Sequence, residues 1–516
     1  MSAPAGGYIT DVEYTGDFFP HLAPARLAYI AAINGYRPPS LAGRFTWCEL
    51  GCGQGITSLI LAATHPGGEF HACDFNAAHI ARAETLRRAG GVDNLRFHAK
   101  SFGEMLGADL PALDFITLHG VYSWVPEAVR GEIAEFIRRR LAPGGLVMVS
   151  YNAMPGWAHL QPIRRMMHAH AASLPGDSLE KARAAFAHVD FLARNRAGYF
   201  ATLPAAAEHL KKMATQDLRY VAHEYLTPHG DPFWFDEVAA AMGAAGLAFA
   251  GSMTPADNYP ELMLPAAFRS LVESAPTRGA LEAHRDVVLN TSFRQDLYAA
   301  QPAVSLTPEV GLGALAVTAF CLADLPESLP LRRERGALQF DLTDQAAAVR
   351  AIHARLAGGP ARTAEIHAAA RTGGEDETAF LIQQLVVSGH LAPCPPVRAP
   401  AGWMQVSSAL VEAGIREQAQ RVPLACPLTG AASYTEVVSA ATIEAAARID
   451  DAAAAGREVL ARLRAHGHPV NRYGPAGERR PATDREVIEH VGAVWRGLRD
   501  PANADRRRLR LFGVLA

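Results

Sequence analysis

An acid followed by three alternating glycines marks the stretch of this chain with the clearest chemical potential. Within Thr46–Gly55, Glu49 precedes the glycines at 51, 53 and 55. Glycine is required where a backbone turns sharply at positive φ, or where a ligand approaches bare backbone. A carboxylate two residues before the first glycine suits a ligand cation and would repel a phosphate. The pattern therefore predicts a turn that binds a positively charged ligand.

A second acid, Asp74, follows Gly55 by nineteen residues and ends an apolar run that begins at Glu69. An acid at the tip of a second strand is placed to accept hydrogen bonds from both hydroxyls of a ribose. Enzymes that use NAD and enzymes that use S-adenosylmethionine (AdoMet) share this arrangement. The glycine pattern, G-x-G-x-G rather than G-x-G-x-x-G, separates them better than the spacing does. The alternative is a turn that merely joins a strand to a helix, and the two acids argue against it.

The elements that position these residues alternate between strand and helix over residues 45–150. This alternation predicts an α/β protein with a Rossmann-like, doubly wound parallel sheet covered by helices on both faces. Ligands bind at the carboxyl ends of such strands. The predicted strands are 45–50, 69–73, 95–99, 113–118 and 145–150, and the predicted helices are 56–64, 76–90, 101–106 and 127–141.

Two further strand tips carry polar and aromatic side chains. The fourth tip runs from Leu118 to Trp124, and the fifth runs from Ser150 to Trp157. Aromatic groups there either line a channel for an acceptor or cap the sheet, and their position at the ligand-binding edge favours the channel. The third tip offers backbone groups and a ring that could bracket an adenine, and its residues are Lys100, Ser101 and Phe102.

Composition limits the class of protein. The 516 residues are 49% hydrophobic and 20% charged with a net charge of −3, which is typical of a soluble protein with several domains. No basic excess points to nucleic acid. The six cysteines form no C-x-x-C pair, and His223-Glu224 lacks a histidine at H-E-x-x-H spacing, so no metal site is expected. No apolar run of about 18 residues and no signal peptide are present, which predicts a cytoplasmic protein without membrane insertion.

Five domains are predicted along the chain. They are a ligand-binding core over 1–157, a helical insertion over 158–218, a middle domain over 219–305, a winged-helix-like module over 306–400 and a helical C-terminal domain over 401–516. The insertion would either cover the crevice or form a homodimer contact. The third helix of the module, 375–389, begins with three acids and has no Lys or Arg, so phosphate would repel it. The module is therefore interpreted as structural or protein-binding.

Three motifs follow the glycine turn in an order that narrows the family. They are His119-Gly-Val-Tyr-Ser-Trp-Val, Ser150-Tyr-Asn-Ala-Met-Pro-Gly-Trp and Tyr220-Val-Ala-His-Glu-Tyr-Leu. Over about residues 10–300 the chain resembles bacterial class I AdoMet-dependent methyltransferases with a methyltransferase regulatory domain. Described members of this group are the rickettsial-type protein-lysine methyltransferases. The resemblance implies AdoMet as cofactor, a wide acceptor crevice and a downstream winged-helix-like domain, but it does not transfer the identity of the acceptor.

The residues expected to act are drawn from the glycine turn and the strand tips. An aromatic segment before the first strand often closes over the cofactor in this family, although such a segment could equally pack on the sheet edge. The residues expected to bind cofactor are Tyr14, Glu49, Gly51, Gly53, Gly55, Asp74, Phe75, Ser101, Phe102 and His119. Those expected to contact the acceptor are Tyr122, Trp124, Tyr151 and Trp157, and those expected to assist catalysis are His119, Tyr122, Tyr151 and Asn152.

The expected reaction is methyl transfer to lysine side chains of a protein substrate. His119 is the one group at the fourth tip that would titrate near neutral pH. A small-molecule acceptor and a non-catalytic AdoMet-binding scaffold are the alternatives. Domains beyond the core favour a large acceptor, because a small one needs only a lid.

Overall fold

A seven-stranded mixed sheet organises the chain up to residue 300. The computed structural model describes residue 11 and the ranges 16–300, 311–335, 338–396, 402–473 and 479–515. The strands are β1 (Phe45–Leu50), β2 (Gly68–Asp74), β3 (Leu95–Ala99), β4 (Leu113–Leu118), β5 (Leu141–Asn152), β6 (Leu247–Ser252) and β7 (Phe293–Ala300). Their order is β3-β2-β1-β4-β5-β7-β6. The first five strands run parallel, and β7 is antiparallel to both β5 and β6.

Helices cover both faces of this sheet, as the alternating pattern predicts. Rings from β1, β2 and β4 pack with α1 and α2 on one face, and the opposite face packs on α5 and α11. The helices are α1 (Pro24–Ile33), α2 (Ile56–Thr64), α3 (Ala77–Ala89), α4 (Phe102–Met105), α5 (Glu127–Arg140), α6 (Gln161–Ala172), α7 (Ser178–Arg194), α8 (Gly198–Thr202), α9 (Pro204–Met213), α10 (Leu218–Leu226), α11 (Phe235–Ala244), α12 (Pro260–Met263), α13 (Arg269–Ser274) and α14 (Arg278–Leu289). The prediction of a Rossmann-like α/β fold is confirmed.

The predicted domain boundaries at residues 157 and 219 stay predictions, although the large sheet extends across both of them. Strands β6 and β7 belong to the segment predicted as a separate middle domain, 219–305, yet they complete the sheet beside β5. Their sequences carry no sign of this partner, because strand pairing over about 140 residues is a tertiary property. Helices α6, α7, α9 and α10 instead share a core of their own, which Trp157 joins. The segment 158–218 is helical, as expected, because it contains α6, α7, α8 and α9.

The next part of the chain packs helices on a small antiparallel sheet, and four α-helices lie within its described residues. The central strand β8 pairs with β11 on one side and β12 on the other. Its elements are α15 (Leu312–Leu315), β8 (Ala319–Leu322), β9 (Arg332–Arg335), β10 (Leu338–Asp341), α16 (Ala346–Ala357), β11 (Ala361–Arg362), α17 (Thr363–Ala370), α18 (Glu375–Val387) and β12 (Leu391–Cys394). Whether this unit is a winged helix stays a prediction.

The C-terminal part is mostly helical, as expected, but its described residues also contain two antiparallel strand pairs that the sequence did not predict. The first pair, β13 (Arg421–Cys426) with β14 (Ala431–Glu436), is called the C-terminal hairpin, and the second is β15 (Asn471–Tyr473) with β16 (Arg479–Pro481). The C-terminal part packs against α2 and α3, on one face of the large sheet. Its elements are α19 (Trp403–Arg416), β13 (Arg421–Cys426), β14 (Ala431–Glu436), α20 (Val437–Ala446), α21 (Ala452–Ala465), β15 (Asn471–Tyr473), β16 (Arg479–Pro481), α22 (Asp484–Arg499) and α23 (Ala504–Leu511). Within the described ranges, no helix is both long and apolar enough to cross a bilayer.

Candidate functional site

The turn that follows β1 uses its three glycines in three different ways. All have positive φ, 76° at Gly51, 53° at Gly53 and 71° at Gly55. A Cβ at Gly51 would lie 2.5 Å from the Val121 side chain, and one at Gly55 would lie 2.6 Å from the Phe97 ring. A Cβ at Gly53 would meet no atom within 4 Å. Gly53 alone therefore presents bare backbone to open space, as a ligand cradle requires.

Asp74 ends β2 directly beside this open position. One carboxylate oxygen accepts a hydrogen bond from the Gly53 amide at 3.0 Å, and the other accepts one from the Asn76 amide at 2.8 Å. A carboxylate has about four lone-pair sites, so acceptor capacity for two hydroxyl groups remains. Asp74 is thus fixed against the glycine turn and can still bind a ribose. Its role in shaping the turn was not predicted from the sequence.

Glu49 lies beneath the turn and is 4% exposed. Its carboxylate accepts a hydrogen bond from the Ser58 hydroxyl on α2. Burial raises the pKa of Glu49 to about 7, the negative charge of Asp74 adds to this, and the Ser58 hydrogen bond opposes it. A cationic ligand above the turn would favour the ionised carboxylate. The Asp74 carboxylate therefore lies against the Gly53 amide, while the Glu49 carboxyl group is buried at the end of β1, and no lysine or arginine side chain contacts either of them within the described residues.

The third tip provides a helix cap and an aromatic ring. The Ser101 hydroxyl accepts a hydrogen bond from the Glu104 amide at 3.3 Å, which caps α4. The Phe102 ring approaches Gly51, since a Cβ there would lie 3.8 Å from it. Phe75 follows Asp74 and is 38% exposed. The contact of these two rings with an adenine bound beside Asp74 stays a prediction.

His119, at the end of β4, lies in a cluster of rings that includes the segment before α1. Its Nδ1 is 2.9 Å from Nε2 of His21, and its ring centroid is 4.2 Å from that of Phe19. Burial lowers the pKa of His119 to about 4. The imidazole is therefore neutral at neutral pH, whereas the sequence predicted titration there. Tyr14, which the sequence assigned to the same aromatic segment, lies outside the described residues.

The two tyrosines predicted to face the acceptor are core residues. Tyr151 is 1% exposed, and its hydroxyl donates a 2.6 Å hydrogen bond to Asp296 on β7. Tyr122 is 5% exposed, and its ring lies against that of Phe233 at a centroid distance of 5.4 Å. Both rings belong to the core on the α5 and α11 face. The predicted acceptor and catalytic role of Tyr151 is therefore replaced by a structural one, because its hydroxyl is already bonded inside the core.

Trp124 and Trp157 pack together rather than lining an open channel. Their ring centroids are 6.4 Å apart, and Trp157 is 7% exposed. The guanidinium of Arg164 lies 5.9 Å from the Trp124 ring and donates to the Glu224 carbonyl within α10 and to the His229 carbonyl after it. The two tryptophans thus join the fourth and fifth tips to the α6–α10 layer, which corrects their predicted contact with the acceptor.

Asn152, the last residue of β5, points to the opposite face from Tyr151. Its side chain is 6% exposed overall, and its Nδ2 has no hydrogen-bond partner among the described residues. The neighbouring strand places Phe293 directly opposite Asn152, and that ring is 43% exposed and 6.0 Å from His119. A buried amide without a protein partner costs free energy unless a ligand or an ordered water bonds it, so Asn152 is a candidate ligand contact.

Phe19 belongs to the aromatic segment before β1 that the sequence analysis singled out, whereas His21 and Phe293 were not predicted from the sequence. Phe293 and His21 contact the His119 region only because β7 and the residues before α1 fold onto the tips of β4 and β5. No local pattern signals such contacts. The open backbone of Gly53 lies beside Asp74 at the ends of β1 and β2, and the Asn152 amide, whose Nδ2 has no partner among the described residues, lies at the end of β5 opposite Phe293. Both lie at the carboxyl edge of the parallel strands, the crevice where ligands bind in such sheets. Such a site can hold a cationic ligand with a ribose at one end and an alkyl group at the other.

Comparison with known proteins identifies the fold and the family. A family model for a methyltransferase domain matches residues 48–147, and one for a predicted methyltransferase regulatory domain matches residues 217–300. The solved structure of PKMT2 from Rickettsia typhi in complex with AdoHcy has a TM-score of 0.70 and 20% identity, covering 96% of this chain and 99% of that one.

Curated relatives extend this similarity at the level of sequence. The uncharacterized protein sll1526 of Synechocystis is 33% identical over 71% of this chain and 72% of its own length. The uncharacterized protein RP028 of Rickettsia prowazekii is 30% identical over 42% of this chain and 86% of its own length. The chain therefore belongs to the class I AdoMet-dependent methyltransferases that carry a methyltransferase regulatory domain.

Proposed function

We propose that this protein transfers the methyl group of AdoMet to lysine side chains of a protein substrate. The observation that carries the proposal is the open backbone face of Gly53 beside the Asp74 carboxylate, with the Glu49 carboxyl group buried nearby. Those two carboxyl groups match the positive charges and the ribose of AdoMet. The resemblance to rickettsial-type protein-lysine methyltransferases, and the fold shared with PKMT2, support lysine as the acceptor.

When bound, AdoMet supplies a methyl group activated by its sulfonium. The residues of the chain must bring a neutral amine in line with that group. Deprotonating a free lysine amine of pKa about 10.4 at pH 7.5 costs roughly 4 kcal/mol. An apolar wall lowers this cost, because burial disfavours the ammonium form. In this crevice Phe293 and Phe19 would contact the alkyl chain, and the carbonyl oxygen of the Asn152 side chain would accept a hydrogen bond from an N–H of the amine and leave its lone pair free for the methyl carbon.

His119 is placed to support this wall rather than to remove the proton. Its Nδ1 is engaged with His21, and its pKa of about 4 makes it a weak base. The amine proton would then leave to solvent before the acceptor is enclosed. This account needs no metal, consistent with a reaction in which the sulfonium itself activates the methyl carbon.

Replacing Asp74 with alanine is expected to weaken AdoMet binding by at least about tenfold. Hydrogen bonds to an ionised carboxylate contribute about 1.5–3 kcal/mol each, and the ribose would lose two of them. Isothermal titration calorimetry measures the affinity, and a melting curve on the same sample reports the loss of the Gly53 and Asn76 contacts. An unchanged dissociation constant would remove Asp74 from the ribose site.

Replacing Asn152 with alanine is expected to lower kcat by roughly tenfold or more, while AdoMet affinity changes by less than about twofold. The amide has no partner within the described residues, so its loss leaves no buried group unsatisfied and costs little stability. Steady-state methyl transfer and calorimetry on one preparation separate the two effects. A normal kcat would place the acceptor elsewhere.

The proposal is tested by incubating the protein with radiolabelled AdoMet and the proteome of its host. A labelled protein band whose acid hydrolysate contains methyl-lysine would support it, provided that the Asp74→Ala variant gives no label. Label confined to the small-molecule fraction would replace the protein acceptor with a small one. Absence of transfer by a protein that binds AdoMet would indicate a scaffold.

A further inference from the structure

The C-terminal hairpin reaches into the neighbourhood of the cofactor site through one side chain. Tyr434 lies on β14, and its hydroxyl donates a hydrogen bond to the Asp17 carboxylate. The same hydroxyl accepts a hydrogen bond from the Phe18 amide at 2.7 Å. The guanidinium of Arg421 lies 5.6 Å from the Tyr434 ring and fixes its orientation. Tyr434, more than 400 residues later in the sequence, thus forms hydrogen bonds with the segment that precedes α1.

The segment held by Tyr434, Gly16–Leu22, lies on the glycine turn and on α2. The amide of Gln54 and the side chain of Ile56 fill the space beside Gly16. The Phe19 amide donates to the Thr57 hydroxyl at 3.0 Å, and that hydroxyl donates to the Asp17 carbonyl at 3.3 Å. The segment therefore packs against the residue between Gly53 and Gly55.

The far end of the same segment reaches the acceptor side of the crevice. Phe19 and His21 contact His119, at ring-centroid distances of 4.2 Å and 4.3 Å. Gly16–Leu22 therefore runs along the crevice from the glycine turn to the tip of β4. It includes only a single 3-10 turn, Pro20–Leu22, so side-chain contacts fix most of its path. Ordering such a segment has a large entropic cost, which contacts made before the ligand binds offset.

We propose that Tyr434 is a positioning residue for AdoMet, acting through Gly16–Leu22. This inference rests on the proposed function, because it assumes that AdoMet lies on the glycine turn. With the segment held by the C-terminal hairpin, the cofactor cleft is closed on one side before binding. The C-terminal domain then contributes to cofactor affinity without touching the cofactor. Because such coupling is reciprocal, AdoMet also strengthens the contact between Tyr434 and the segment.

The test compares two contacts between the same domains. Tyr434→Phe removes the hydroxyl and keeps the ring packed on Arg421. Glu417→Gln weakens the Arg82–Glu417 ion pair, which joins the C-terminal domain to α3 at 2.6 Å without touching the segment. We expect the AdoMet dissociation constant to rise by about five- to tenfold in Tyr434→Phe and to stay within about twofold of the wild type in Glu417→Gln. The acceptor KM and the melting temperature should change little in either variant.

Asp17→Ala removes the same hydrogen bond from the other side and should reproduce the Tyr434→Phe result. Equal weakening by Glu417→Gln would overturn the inference, since general domain docking would then control affinity. Wild-type affinity in a folded Tyr434→Phe protein would overturn it as well. A wild-type protein that fails to bind AdoMet would instead overturn the proposed function, so the two failures are distinguishable.

Discussion

A valine in place of Gly53 is expected to abolish measurable AdoMet binding while the protein remains folded. The position beside Gly53 is open, and a Cβ placed there would have no protein atom within 4 Å, so the side chain meets no clash inside the protein. It fills instead the space that the ligand needs. We expect the dissociation constant to rise by roughly 100-fold or more. Calorimetry with AdoMet and with its demethylated product would measure the loss.

The backbone strain of this substitution needs its own control. Valine disfavours the positive φ of 53° at Gly53. Gly144 has φ of 76° and equally open surroundings, but it lies near the start of β5, at the other end of the strand from the ligand-binding tips. Gly144→Val should therefore cost similar stability and leave AdoMet affinity unchanged. Normal affinity in a folded Gly53→Val protein would show that the turn does not face a ligand.

Much of the catalytic sheet was predictable because its signals are local. The predicted strands 45–50, 95–99 and 113–118 match β1, β3 and β4 residue for residue. Each is a short apolar run followed by a turn and a helix start, so neighbouring residues determine it. The predicted helices 101–106 and 127–141 likewise begin within a residue or two of the first residues of α4 and α5.

The strand β7 was not predictable by the same means. It reads Phe-Arg-Gln-Asp-Leu-Tyr-Ala-Ala, which has neither a clear alternation nor a continuous apolar run. Arg294 and Asp296 are nevertheless 2% and 1% exposed. Buried charges are tolerated only with partners, and these partners lie on α14 and β5. The charged residues of β7 are therefore explained only by contacts that form in the folded protein, and the local sequence could not predict this strand.

The candidate site likewise contains residues that the local sequence predicted and residues whose placement depends on tertiary contacts. Glu49, the three glycines and Asp74 are sequential features of one βαβ unit, and the structure brings them together. Tyr151 and Asn152 were assigned together because both follow the fifth strand. Successive residues of a strand point to opposite faces, so one of them enters the core and the other enters the crevice. Which residue takes which face depends on the register, and the register is set by β7.

Replacing Arg294 with methionine is expected to reduce the free energy of unfolding by about 3–5 kcal/mol. The guanidinium bonds Asp286 at 2.7 Å, Glu282 at 2.9 Å and Asp296 at 2.9 Å. Burial lowers the pKa of Arg294, but the surrounding carboxylates outweigh burial and hold that pKa well above its usual value. Methionine keeps the packing on Phe235 but leaves three buried carboxyl groups without this cation. Urea denaturation measures the loss.

The size of this effect depends on pH, which distinguishes it from simple loss of packing. Without the guanidinium, burial raises the folded-state pKa of the Asp286 carboxyl group still further above its value in the unfolded chain. Such groups bind more protons when folded, so the stability of the variant falls as pH rises. The deficit relative to wild type should therefore be smaller at about pH 5 than at about pH 8.

Arg138→Met, which removes a half-exposed ion pair with Glu135, should cost less than about 1 kcal/mol at either pH. A deficit for Arg294→Met that is equally small, or independent of pH, would mean that β7 is held to α14 by apolar packing alone.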